Sequence, residues 1–126
     1  MIGYRAVLTP GSERYVHHMM LYECHDEING SWESFDHHVN SGYECNTPNM
    51  PKDFKKCKGI VAGWGVGGEP FYFPEEAGYP MGEEHGGSKY YMFEVNKIVN
   101  LVSSSNRCHY SMECHSKSQI PCNKFH

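Results

Sequence analysis

The chain has no long hydrophobic run, no block of like charge and little helical periodicity. Its 126 residues carry a net charge of -4 with His neutral. The basic residues form no run, which argues against a role at nucleic acid or at a membrane surface. No apolar stretch approaches the roughly 20 residues that a transmembrane helix requires. The length allows one domain at most.

No signal peptide is predicted at the start of this sequence, whereas cysteines are frequent. Met1 to Arg5 runs directly into strand-like sequence without an apolar segment. Six cysteines in a chain of this length favour an oxidising compartment, and their spacing matches no zinc finger or ribbon. These two features conflict. We interpret the chain as a fragment or incomplete gene product of a secreted protein; the alternative is a cytosolic protein with free thiols.

Short β-prone segments separated by turn residues make up most of the chain, which contains 13 Gly and 7 Pro. Four segments are rich in β-branched and aromatic residues and predict strands. They are Tyr4–Leu8, Tyr15–Tyr22, Lys58–Trp64 and Tyr90–Val95. Several short strands joined by Gly/Pro turns indicate an all-β sandwich or jelly roll.

The composition changes after Val95. Residues 96–126 are polar and rich in Asn, Ser and Lys, and after Val102 they lack the alternation of the preceding strand. Three cysteines recur there, Cys108, Cys114 and Cys122, with His109 and His115 beside two of them. The segment is predicted to be an irregular tail. A small knot held by disulfides or a metal is the alternative.

Paired imidazoles at His17 and His18 are the main candidates for metal ligands. Neighbouring side chains of a strand point to opposite faces, so both can reach one metal only if the strand twists or bulges there. Neutral imidazole suits Cu, Zn, Fe and Ni, and this chemistry does not choose among them. Alone, such a pair is more often structural or incidental. The other histidines, His25, His37, His38 and His85, are predicted to be solvated.

An ordered set of motifs nevertheless points to one family. The motifs are His17-His18-Met19, Cys24, Tyr43-Glu44-Cys45, Cys57, Val61 to Gly68, Phe71-Tyr72-Phe73-Pro74-Glu75-Glu76-Ala77-Gly78, Gly82, and Ser88-Lys89-Tyr90 to Glu94-Val95. This set resembles the N-terminal copper domain of the copper type II, ascorbate-dependent monooxygenases. The Tyr-Phe-Pro-Glu-Glu-Ala-Gly run is most similar to the branch of dopamine β-hydroxylase, tyramine β-hydroxylase and DBH-like proteins. The resemblance covers Met1 to Val95.

The resemblance implies a fold, a chemistry and a compartment. Members have two jelly-roll domains with one copper each, take electrons from ascorbate, and use O₂ to hydroxylate an aliphatic or benzylic C–H. The benzylic or phenylethylamine-type substrate class follows from the branch. By position, His17 and His18 are two of the three ligands of the N-terminal copper. Secretion, or residence in a secretory-vesicle lumen, is implied as well.

The resemblance also implies the cysteine pairing. Cys24 is expected to pair with Cys57, which closes a loop worth about 3–4 kcal/mol in the chain-entropy model. The family partner of Cys45 lies before the present start. We therefore expect Cys45 to be unpaired or to pair with the tail.

Three departures from the family pattern limit the expected function. Asn96 stands where the family has its third imidazole, and Asn binds copper less well than His. We expect the second copper domain and the beginning of the first to be missing from this chain. We therefore expect residues 1–95 to form a partial jelly-roll β-sandwich, with residues 96–126 as a divergent tail. A truncated monooxygenase, inactive alone, is the favoured reading; a secreted copper-binding or interaction module and a cysteine-rich fragment that barely folds are the alternatives.

The abrupt end of the resemblance has its own hypothesis. Val95-Asn96-Lys97 can be encoded by a run that looks like a splice donor, so residues 96–126 are hypothesised to be translated intron or an alternative 3′ end. Sequencing of the transcripts tests this, because a single coding exon across codon 96 would exclude it.

Overall fold

Every strand pairing described in this chain is antiparallel, in one sheet of five strands and one of two. The computed structural model describes residues 1–25, 33–100 and 103–110, of which 33–34, 99–100 and 103–110 are described by their backbone only. The elements are β1 (Gly3–Tyr4), β2 (Val16–Cys24), α1 (Glu33–Asp36), β3 (Gly42–Glu44), a 3₁₀ helix (Lys52–Lys56), β4 (Cys57–Gly65), β5 (Phe71–Tyr72), a second 3₁₀ helix (Glu83–His85), β6 (Tyr91–Asn100) and β7 (Ser103–Tyr110).

The large sheet has the strand order β3-β7-β6-β2-β4, so β2 lies between β4 and β6. Side chains of β2 alternate between the two faces from His18 to Cys24. Met19 and Leu21 are buried on one face, whereas His18, Met20 and Tyr22 are partly buried on the other. This period of two is the ordinary alternation of side chains along a strand.

One face of the sheet carries a cluster that we call the Leu21 core. Its buried members are Leu21, Val61, Ala62, Met81 and Tyr91. Tyr4 of β1 and Tyr79 pack against this cluster, so the small sheet and the loop before β6 cover that face. Burial of these apolar side chains provides the main stabilisation of this side of the sheet.

The opposite face carries a second cluster, which we call the disulfide core. It consists of Cys24, Phe35, Cys45, Phe54, Cys57, Tyr90 and Met92. Cys24 and Cys57 are joined by a disulfide bond that ties the end of β2 to the start of β4. The ring of Phe35, from the single turn of α1, stacks on Tyr90 with 5.4 Å between centroids. The Tyr90 hydroxyl donates to the Asp36 carboxylate, which holds α1 on the sheet.

The all-β prediction is confirmed, and three of the four predicted strands correspond to β2, β4 and β6. The fourth, Tyr4–Leu8, was too long: strand pairing ends at Tyr4. The next partner in register would be Pro70, since Tyr4 pairs with Phe71. Within a strand, proline is confined to the first residue, an edge or a bulge, and β5 begins directly after Pro70.

Strand pairing also continues further along the chain than the composition indicated. β6 runs past Val95 to Asn100, and residues 103–110 form β7 beside it. The Ser-rich sequence of β7 gave no alternation to detect, because a ladder depends on backbone groups that every non-proline residue carries. The remaining tail, residues 111–126, lies outside the described part of the chain. Within that part, no helix is long and apolar enough to cross a membrane.

Candidate metal centre

A β-bulge at the start of β2 brings the two predicted metal ligands together. In the β2–β6 ladder Val16 pairs with Lys97 and His18 pairs with Asn96, so His17 is an extra residue on β2. An extra residue breaks the strict alternation of side chains and redirects them. The His17 carbonyl accepts a hydrogen bond from the Val66 N–H at 3.1 Å, which ties the bulge to the end of β4. Both imidazoles were expected to reach one metal only if the strand twists or bulges there, and the bulge is present.

The Nδ1 atoms of the two imidazoles face each other at 3.2 Å. Two imidazole nitrogens that bind one metal at about 2.0 Å with a tetrahedral angle are about 3.3 Å apart. The rings meet edge to face, with 71° between their planes. His17 is exposed and the side chain of His18 is 34% exposed, so a metal can approach from solvent. The two nitrogens are thus spaced as two ligands of one metal ion would be.

Asn96 occupies the position opposite His18 in the ladder and is only 8% exposed. A residue directly across an antiparallel pair has its Cβ about 4.5–5.5 Å away, within reach of a shared ligand. Its amide is a weak copper ligand compared with an imidazole. Among the described residues, no group of three or more His, Cys, Asp or Glu is arranged to hold a metal ion. The donor set therefore fits copper at two positions and departs from three imidazoles at the third.

Glu94 lies next to His18, and Tyr22 lies next to Glu94, on the same face of the sheet. Glu94 pairs with Met20, between the His18–Asn96 and Tyr22–Met92 pairs. Its Oε1 is 3.9 Å from His18 Nε2, and its Oε2 accepts a hydrogen bond from the Tyr22 hydroxyl at 3.2 Å. Burial of Tyr22, followed by the nearby Glu94 charge and this hydrogen bond, raises the pKa of the phenol. Tyr22 consequently stays protonated and keeps donating.

Sequence analysis did not predict the contact between Glu94 and His18 or that between Glu94 and Tyr22. Their signal lies in the spacing: Glu94 is two residues before Asn96, and Tyr22 is four residues after His18. In paired strands both spacings place side chains on one face. Whether Glu94 lies beside His18 and Tyr22 depends on the register between β2 and β6, and a single sequence does not determine that register.

The remaining described histidines do not converge on His17 and His18. His37 is exposed, as predicted, whereas His38 is half-buried. The prediction of a solvated His38 was wrong because its ring packs against the aromatic rings of Tyr43 and Phe54. His25 is exposed beside the Glu23 carboxylate at 2.8 Å. His85 is exposed on the second 3₁₀ helix.

The tail histidines do not complete the site in the described structure. The backbone of His109 pairs with Phe93, whereas that of Asn106 pairs with Asn96. His115 lies outside the described residues. Cys45 is disulfide-bonded, which excludes the unpaired alternative, and its partner is not among the described side chains.

Comparison with known protein families shows which family this chain belongs to. The sequence profile of the copper type II ascorbate-dependent monooxygenase N-terminal domain matches residues 1–97. The chain belongs to the copper type II ascorbate-dependent monooxygenase family. The match ends two residues beyond Val95 and includes the whole His17/His18/Asn96 region of this monooxygenase domain.

Individual monooxygenases of the family show the same similarity. Tyramine β-hydroxylase of Caenorhabditis briggsae is 37% identical over 89 residues, 71% of this chain and 13% of the relative. Dopamine β-hydroxylase of Rattus norvegicus is 34% identical over 117 residues, 88% of this chain and 18% of the relative. DBH-like monooxygenase protein 1 of Mus musculus is 35% identical over 82 residues, 65% of this chain and 12% of the relative. No solved structure matches the chain.

These matches cover a small part of each relative, and the longest of the three covers most of this chain. The chain spans between 12% and 18% of the length of these relatives, so their activities belong to much longer proteins. The rat match, at 88% of the chain, is longer than the 97-residue profile match and reaches into the segment that follows it. Similarity to this monooxygenase family therefore continues past Val95.

Proposed function

We propose that His17 and His18 bind copper through their Nδ1 atoms, as part of a copper- and ascorbate-dependent monooxygenase. The observation that carries this proposal is the bulge, which sets the two Nδ1 atoms 3.2 Å apart at the surface. Support also comes from the family match, which covers this strand. The intact reaction is proposed to be hydroxylation of a benzylic or phenylethylamine-type C–H with O₂.

When bound, copper supplies one-electron redox chemistry, and ascorbate is the proposed electron donor. The protein's contribution is to hold two imidazoles with their Nδ1 atoms converging. The Val66–His17 hydrogen bond keeps the bulge in place, so little reorganisation is needed before a metal binds. Exposure of His17 leaves the site open to a small water-soluble reductant.

For this polypeptide by itself we propose copper binding without turnover. The match is to the N-terminal domain. The family resemblance implies that O₂ is activated at a second copper, in another domain. Asn96, in place of an imidazole, further weakens the first site. This substitution favours, as a second candidate, a copper-binding module that does not catalyse.

We infer that the protein is secreted or resides in a secretory-vesicle lumen. The disulfide between Cys24 and Cys57 supports this, because disulfides persist in oxidising compartments. Immunolocalisation of the tagged protein tests the inference. A diffuse cytosolic signal with reduced cysteines would contradict it.

Copper binding by the purified, oxidised chain tests the central proposal. The informative comparison is between wild type, His17→Ala/His18→Ala and the control His37→Ala/His85→Ala, which also removes two exposed imidazoles. Isothermal titration with Cu(II), with a weak competing chelator, measures stoichiometry and affinity. Circular dichroism shows whether each variant keeps its β-sheet signal.

The proposal predicts one tight copper per chain in the wild type and in the control, and loss of that copper in the His17/His18 variant. Equal binding by all three proteins would contradict it. Addition of ascorbate to the loaded wild type is expected to abolish the Cu(II) electron paramagnetic resonance signal. A signal that persists in excess ascorbate would contradict the proposed electron donor.

A further inference from the structure

The two ring nitrogens of His18 face different partners. Nδ1 points at His17, whereas Nε2 is 3.9 Å from the Glu94 carboxylate. A neutral imidazole has one donor nitrogen and one acceptor nitrogen, and the group beside each nitrogen determines where the proton sits. An anionic carboxylate beside Nε2 favours the proton there and leaves the Nδ1 lone pair free. His17 can then donate its Nδ1–H to His18 Nδ1 in the metal-free protein.

Glu94 is itself held in place. Its other carboxylate oxygen accepts the Tyr22 hydroxyl at 3.2 Å, and its side chain is only 14% exposed. Tyr22 packs against the disulfide core, so this hydrogen bond connects Glu94 to the rigid part of the sheet. The carboxylate therefore has a defined position relative to His18 and does not sample many rotamers in solvent.

We propose that Glu94, oriented by Tyr22, is a positioning residue that keeps His18 in the Nε2–H tautomer with Nδ1 directed at the metal. The inference rests on the proposed copper site at His17 and His18. The present 3.9 Å separation exceeds a direct hydrogen bond, and it is short enough for one bridging water or for a small ring rotation. Carboxylates that accept the second N–H of a ligating imidazole raise metal affinity by about 10–100-fold.

The Nδ1 proton of His17 can exchange with water. To bind a metal through Nδ1, a neutral His17 must exchange its Nδ1 proton for one on Nε2, and the side chain is exposed to water that can carry this exchange. His18 needs no such change, because its proton is already on Nε2. The two neighbouring imidazoles thus differ in which ring nitrogen carries the proton before a metal binds. Glu94 causes this difference.

The tautomer of His18 in the metal-free protein tests the proposal directly. Nitrogen-15 NMR of the imidazoles distinguishes Nδ1–H from Nε2–H, in wild type, Glu94→Ala, Glu94→Gln, Tyr22→Phe and the control Glu76→Gln, an exposed carboxylate in a loop. We expect the Nε2–H tautomer in the wild type and the control, a mixture in Glu94→Ala, and partial rescue in Glu94→Gln, whose amide oxygen still accepts. Tyr22→Phe should give an intermediate result. A pure loss of packing would not change the tautomer.

Copper affinity of the same variants separates this proposal from the proposed function. Glu94→Ala should lower Cu(II) affinity by about 10–100-fold while the stoichiometry stays at one. A wild-type tautomer and wild-type affinity in Glu94→Ala would overturn the positioning role. Copper binding that survives His17→Ala/His18→Ala would instead overturn the proposed site. If Glu94→Ala fails to fold, Glu94→Gln and Tyr22→Phe carry the same comparison, and unchanged tautomers in both would contradict the proposal.

Discussion

His18 and Asn96 are direct partners across the β2–β6 ladder, so a ligand donated from position 96 would lie beside His18. Asn96 is buried, with 8% of its surface exposed. The position is therefore well placed for a third ligand and holds a side chain that copper disfavours. This relationship leads to the first prediction.

Asn96→His should restore a three-imidazole site. We expect copper affinity to rise by at least about tenfold, equivalent to about 1.4 kcal/mol, because one more good donor is added next to two preorganised ones. Lys97→His is the matched control, since it adds an imidazole at the adjacent, exposed position on β6. Competition titration with a copper chelator measures both. Equal gains in the two variants would show that position 96 is not special.

Removing the Cys24–Cys57 disulfide should destabilise the sheet where β2 ends. The cysteines are 33 residues apart, and closure of a loop of this size is worth about 3–4 kcal/mol in the chain-entropy model. Urea unfolding of Cys24→Ala/Cys57→Ala, compared with the oxidised wild type, measures the loss. Ser88→Ala is a local control: it removes the hydrogen bond from Ser88 to the Cys24 carbonyl and should cost about 1 kcal/mol. A disulfide variant as stable as the wild type would contradict this account.

Leu21 should be one of the most costly side chains to truncate. It is 1% exposed at the centre of the Leu21 core, so Leu21→Ala is expected to cost about 2–5 kcal/mol. Ile60→Ala, on the neighbouring strand with Ile60 63% exposed, should change stability by less than about 0.5 kcal/mol. Chemical denaturation of the two variants gives the comparison. Similar losses would mean that the face of the sheet is assigned wrongly.

Alkaline pH should destabilise the fold through two tyrosines. Burial is the main cause that raises the pKa of Tyr22 and of Tyr79 above the ordinary value of 10.0; Glu94 adds to it for Tyr22 and Glu23 for Tyr79. Their stabilising effect is fully present below pH 10 and is lost as the pH rises further, because the unfolded chain ionises first. The urea midpoint should therefore fall above pH 10. In Tyr22→Phe/Tyr79→Phe that fall should be smaller, and an identical fall would contradict the assignment.

The sequence predicted the strands that are marked by apolar and aromatic residues. It predicted few of the features that depend on the register between strands. β2, β4 and β6 were found because their apolar and aromatic residues mark them as strands. β7 was missed because its polar sequence has no such pattern. The histidine pair was identified from its residues and family likeness, whereas the bulge that joins the rings requires the β6 partner. For the same reason the Glu94 contact with His18 became apparent only in three dimensions.

Counting the imidazoles bound to copper tests the central claim most directly. Pulsed electron paramagnetic resonance of the Cu(II)-loaded protein detects the remote nitrogen of each coordinated imidazole. The account predicts two imidazoles in the wild type, three in Asn96→His, and loss of the site's signal in His17→Ala/His18→Ala. A wild-type imidazole count that is unchanged in the His17/His18 variant would contradict the assignment of these residues as copper ligands.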